Sequence, residues 1–109
     1  MATDFKINGT TLTYIMKADW QAEPIGQAFD GPQVYSRWHK HIWQTEAMSM
    51  SEFATLYALE GQKVNITTTN ATDRNADYMT YYGVDFERIT ARHESQNVAN
   101  VMCEFLVRL

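Results

Sequence analysis

The chain has 109 residues, a mass of 12.6 kDa, 45% hydrophobic and 20% charged residues, and a formal net charge of -4. That is enough for one domain with a modest core, and the composition excludes a disordered tail or a membrane-embedded chain. An excess of 13 acidic over 9 basic residues argues against a dedicated nucleic-acid binder, which gains affinity by replacing phosphate counterions.

Residues 4 to 16, "DFKINGTTLTYIM", read as a hairpin around Asn8-Gly9, a dipeptide suited to two positive φ angles. Phe5 and Ile7 should face Leu12 and Tyr14 across it. From 17 to 33 the pattern loosens, and Pro24, Gly26, Gly31 and Pro32 predict a protruding loop with a short strand near 25 to 29. Residues 34 to 45, "VYSRWHKHIWQT", read as a strand with large side chains on both faces: Trp38, Lys40 and Ile42 on one, Tyr35, Arg37, His39, His41 and Trp43 on the other. The expectation is that one face meets the core and the other meets a neighbouring sheet, loop or subunit.

Residues 49 to 61, "SMSEFATLYALEG", predict the one helix. Ser49 and Glu52 have capping-box spacing, Phe53, Leu56 and Tyr57 recur at helical intervals, and Gly61 suits a left-handed stop. A strand follows to about 69, with Val64 and Ile66 inward, and then a polar turn over 70 to 77. Residues 78 to 92 form a long strand in which Tyr82, Val84 and Phe86 share a face. The apolar phase then slips to Ile89, so a bulge is expected near 87 to 88. The last strand places Val101, Cys103, Phe105, Val107 and Leu109 on one side. The fold class is therefore mainly β: an antiparallel β-sandwich or split barrel with one flanking helix, in a single domain spanning residues 1 to 109. Its core should hold Ile7, Leu12, Phe53, Leu56, Val64, Ile66, Val84, Phe86, Val101, Phe105 and Val107.

Chemical motifs are sparse. Cys103, the single cysteine, sits in an alternating apolar strand and reads as a small buried hydrophobe. Three Asn-x-Thr triplets begin at Asn8, Asn65 and Asn70; the N-terminus lacks a signal-like profile, so a cytoplasmic chain with no glycans is expected. His39 and His41 share a strand face and, with His93 and Glu94 or Glu46, have the chemistry of a divalent-metal site, whose open position would activate water in a small β-barrel metal-dependent enzyme. Weighed against that is a strand facing protein. Tyr35, Arg37, Trp43 and Tyr81 would suit a single-strand nucleic-acid platform if accessible, with core and interface aromatics as the plainer reading. Asp85 and Glu87 resemble a carboxylate pair but read as a solvated face, and Met48 and Met50 read as packing.

The run "RWHKHIW", the helix "EFATLYALEG", the strand "YYGVDFERITARHE" and the terminal "VMCEFLVRL" together resemble small structural proteins of long-tailed bacteriophage tails. The likeness covers residues 34 to 109 and is one of element order and texture. It implies the tail-tube fold of tube subunits and distal-tail rings: a non-enzymatic virion protein, assembled with its own copies in a ring, commonly sixfold, and with adjacent tail proteins above and below. Genomic DNA would pass through such a ring without specific binding, no cofactor or membrane is implied, and the chain would sit in the host cytoplasm only until assembly. Tyr35, Arg37, Trp43, Phe29 and Arg74, with the 17 to 33 loop and the 70 to 77 turn, are the expected interface positions.

Overall fold

The computed structural model describes residues 5–14, 17–27, 33–71 and 78–108, with side chains described up to Gln21 and again from Trp38 onward. Among the described residues there are seven strands, β1 (Lys6–Ile7), β2 (Thr10–Thr11), β3 (Lys17–Gln27), β4 (Gln33–Ser49), β5 (Lys63–Thr68), β6 (Met79–His93) and β7 (Asn97–Arg108), and one helix, α1 (Met50–Tyr57). The strands form one antiparallel sheet in the order β2-β1-β5-β6-β7-β4-β3, curled into a half-barrel, in agreement with the expected β-rich architecture with one helix. A direct contact shows the curl. His41 of β4 lies 2.8 Å from Thr68 of β5, although β7 and β6 separate the two strands. In a flat sheet those three spacings would hold the backbones ~14 Å apart.

The concave face is the core. Every residue expected there is buried, and it is joined by Phe5, Trp43, Met48, Tyr81, Ile89, Val98 and Cys103. Trp43 meets Phe5 and Phe105 edge-on at centroid distances of 5.5 and 4.7 Å, which ties the first residues of the fold to the last strand. At Asn8 and Gly9 the φ angles are +50° and +82°, and Ile7 pairs with Thr10, so the predicted hairpin forms. Leu12 is buried opposite Phe5, whereas Tyr14 lies outside the pairing and is 40% exposed.

Four expectations need correction. The segment from 17 is no loop as far as Gln27: it pairs with β4 from Lys17↔Gln44 to Gln27↔Gln33. Ala18 and Trp20 alternate with exposed Lys17, Asp19 and Gln21, and Pro24 is tolerated because β3 is an edge strand. The register shifts on both sides of Pro24 are what the breaking residues produce. Only 28–32 of that expected loop lie outside the described residues, as do 72–77 of the expected turn and Leu109.

The helix is shorter than 49–61. Ser49 caps it through the Glu52 N–H at 3.3 Å, but the Glu52 carboxylate accepts from Thr13 N–H at 2.7 Å instead of returning to Ser49. After Ala58 the chain tightens to three-residue hydrogen bonds. Gly61, with φ +82°, then donates to Phe86 C=O, and Phe86 N–H donates to Gln62 C=O, so sheet pairing captures the chain before the helix can extend.

Tyr82 does not share the core face of Val84 and Phe86. Gly83 takes φ +66° beside the shift in pairing between Val64/Val84 and Ile66/Tyr81; the extra residue turns Tyr81 inward and leaves Tyr82 78% exposed. The bulge expected near 87 to 88 is present, between the Phe86 and Arg88 pairings, and returns Ile89 to the core.

The last correction concerns β4. Its odd-numbered side chains from His41 to Thr45 are buried in the chain's own core, not turned toward a partner.

Candidate functional site

Three features qualify for attention: a buried polar cluster at one rim of the half-barrel, a recess at a gap in the β4–β7 ladder, and the distal end of the β3–β4 hairpin. The cluster answers the histidine question. His41 Nδ1 lies 2.7 Å from the carbonyl oxygen of Asp19, an atom that can only accept, so Nδ1 carries the proton. Nε2 is then the acceptor. It faces the Thr68 hydroxyl at 2.8 Å and Trp43 Nε1–H at 3.0 Å, while the indole N–H also reaches Thr68 Oγ1 at 3.0 Å. Trp20 stacks on the imidazole, with centroids 3.9 Å apart, and donates Nε1–H to Thr69 O and Oγ1, each at 3.1 Å.

Strands β3, β4 and β5 are thus latched together by one fully satisfied network. Burial pushes the His41 pKa down to about 4, outweighing the Asp19 backbone hydrogen bond and the Asp19 charge, which both act upward; the ring is neutral near neutral pH. Burial likewise pushes the Cys103 thiol up to about 12, which makes it a packing residue and a poor nucleophile.

This geometry gives the metal reading no support. Both nitrogens of His41 are committed to protein partners. His93 is exposed, with its ring 5.4 Å from Phe53, and is paired through Val98 to Met48, seven positions along β4 from His41. Among the described residues no group of three His, Cys, Asp or Glu side chains is arranged to hold an ion. A nucleic-acid platform loses two of its four members, because Trp43 is fully buried and Tyr81 nearly so, with its hydroxyl accepting from Ala71 N–H at 3.0 Å. Asp85 is bound to Lys63 Nζ at 2.7 Å, and the intervening bulge separates it from any pairing with Glu87.

The recess, about 560 Å³, is lined by Lys17, Gln44, Glu46, Asn100 and Met102, together with the buried Thr45 and Val101. It opens where Asn100 takes φ +53°, at a gap in the β4–β7 ladder between the Thr45↔Val101 and Ala47↔Ala99 pairs. Beside it Glu104 links Lys40 and Arg88 at 3.4 and 3.0 Å.

The third feature is backbone. β7 pairs with β4 only from Trp38 onward, yet β4 begins at Gln33 and stays paired with β3 there. Among the described residues, 33–37 of β4 therefore have β3 on one side and an open ladder on the other. Of the expected interface residues, Tyr35 and Arg37 belong to this ribbon, Tyr35 opposite Pro24, with their side chains outside the description. Phe29 and Arg74 fall outside the described residues altogether. Trp43 is removed from the set by its burial.

Family models, curated proteins and solved structures offer no match to this chain. Function must be argued from the molecule itself.

Sequence reasoning missed the latch and the ribbon. Two signals for them were present: the alternation in "KADWQ", which makes a strand of 17–21, and the shared phase of Val64, Ile66 and Thr68.

Proposed function

We propose that this chain is a non-enzymatic structural subunit of a bacteriophage tail, assembling with its own copies into a ring around the DNA channel and adjoining other tail proteins. The observation that carries the reading is the β3–β4 ribbon. Among the described residues it runs roughly 17 Å past the last β4–β7 pair, Trp38↔Arg108, and a two-stranded ribbon is marginal in water by itself. The N–H and C=O groups along its second edge have no strand beside them among the described residues and are suited to pairing with a strand from another chain.

The resemblance over residues 34 to 109 supplies the tail context, and the β-rich half-barrel with a flanking helix is compatible with it. A net charge of -4 suits a conduit for a polyanion. The buried aromatics of β4 add nothing to the case, since Trp43 and His41 are satisfied within the protomer.

The test is composition and mass. Mass spectrometry of purified tails should find the chain in several copies per particle, and light scattering with negative-stain imaging of the assembled protein should show closed rings. A chain absent from purified virions would overturn the proposal.

A further inference from the structure

We propose that Asn8 is a conformation-gated deamidation site, which the folded β1–β2 hairpin protects and local opening of that hairpin exposes. Asn8 is the one asparagine of this chain followed by glycine, the neighbour that leaves its backbone nitrogen least hindered. The others, Asn65, Asn70, Asn75, Asn97 and Asn100, precede Ile, Ala, Ala, Val and Val.

The chemistry needs only water. Gly9 N gives up its proton to solvent and attacks Asn8 Cγ; the N–Cγ bond forms, the Cγ–Nδ2 bond breaks, and ammonia leaves. Water then opens the five-membered imide. Attack at Cγ yields an aspartyl chain with its ordinary peptide bond. Attack at the main-chain carbonyl breaks that bond and leaves an isoaspartyl link through Cγ, one methylene longer.

The fold opposes the first step. Asn8 is held at φ +50° and Gly9 at +82° by the Ile7↔Thr10 pairing. The side chain is tied to the next strand: Asn8 Oδ1 accepts from Asn65 N–H at 2.9 Å, while Asn8 N–H donates to Asn65 C=O at 2.7 Å. Asn65 Oδ1 in turn accepts from Gly83 N–H at 3.1 Å, which extends the tie to β6. Turning the Asn8 amide toward Gly9 N breaks the Oδ1 bond to Asn65 N–H, and freeing the turn to close the ring loosens the hairpin from β5. Two strands of two residues at the edge of a sheet are the kind of unit that opens locally, restrained here by buried Phe5, Ile7 and Leu12.

The hydrogen bonds also separate the two products. Only the side-chain oxygen of Asn8 is used, so an aspartyl product keeps its bond to Asn65 N–H. The isoaspartyl product lengthens a two-residue turn whose register is set by its length, and disturbs the Ile7↔Thr10 pairing across it.

The full chain is incubated in mildly alkaline buffer, native and in denaturing urea, and followed by peptide mapping with isoaspartate quantification. Conversion at Asn8 is expected at least about tenfold slower in the native chain. Ile7→Ala should move the native rate toward the denatured one. Should that variant not fold, urea below the unfolding transition must raise the wild-type rate in the same way. Asn8→Asp should melt close to the wild type, and the isolated isoaspartyl form clearly lower. Equal native and denatured rates, or an isoaspartyl form with the wild-type melting temperature, would overturn the proposal.

Discussion

His41 shows how far a residue's chemistry depends on what surrounds it. A histidine whose pKa is depressed in the fold, to about 4 from 6.5, binds fewer protons folded than unfolded between those values. Its contribution to stability is therefore whole above pH 6.5, falls as the pH drops through that window, and levels off below about 4. The loss amounts to about 3 kcal/mol. Chemical denaturation at pH 7 and pH 4.5 should show it. His41→Gln, less stable at pH 7, lacks this component, so its stability should decline less across the window; curves that stay parallel would refute the linkage.

Elements here are shaped by the left-handed residues set into them. Gly83 puts a bulge in β6 and thereby chooses Tyr81 over Tyr82 for the core, although the alternation with Val84 and Phe86 favours Tyr82. The two substitutions should diverge. Tyr81→Ala removes a ring packed 5.1 Å from Trp20 together with the hydroxyl that serves Ala71 N–H, and should cost about 3 kcal/mol in a urea melt. Tyr82→Ala should change stability by less than about 0.5 kcal/mol. The reverse order would mean that the bulge lies elsewhere. The helix teaches the same lesson from its end: its sequence continues to favour helix through Leu59, but Gly61 and Gln62 bond to Phe86 instead.

The whole molecule measures 54 × 31 × 22 Å, an elongated shape for 109 residues. Since residues 33–37 pair only with β3 among the described residues, the β4–β7 ladder of the half-barrel should not depend on them. Replacing residues 24–35 with a short Asn-Gly turn should leave the melting temperature within a few degrees, since the pairs removed are those of the β3–β4 ladder alone. The same truncation should abolish ring formation as seen by light scattering, if the ribbon is the assembly element. Rings formed by the truncated chain would place the interface elsewhere; a large loss of stability would show that the ribbon packs on its own half-barrel.

Period-two and period-3.6 patterns, the Asn8-Gly9 turn, the Ser49 cap and the phase slip before Ile89 are local, and local sterics and apolar periodicity were enough to predict the strands other than β3, the start of the helix and a set of core residues that are all buried. Strand β3 read as a loop, and the helix as longer than it is. Whether His41 and Trp43 faced ion, base, partner or core was never a local matter. The two faces of β4 read alike in sequence, and the choice of the one that carries both was made by the curl that brings Thr68 of β5 across to β4 and lets one hydroxyl complete both rings. Such a contact joins residues more than twenty positions apart through a closure that all the strands make together, so no window of sequence contains it.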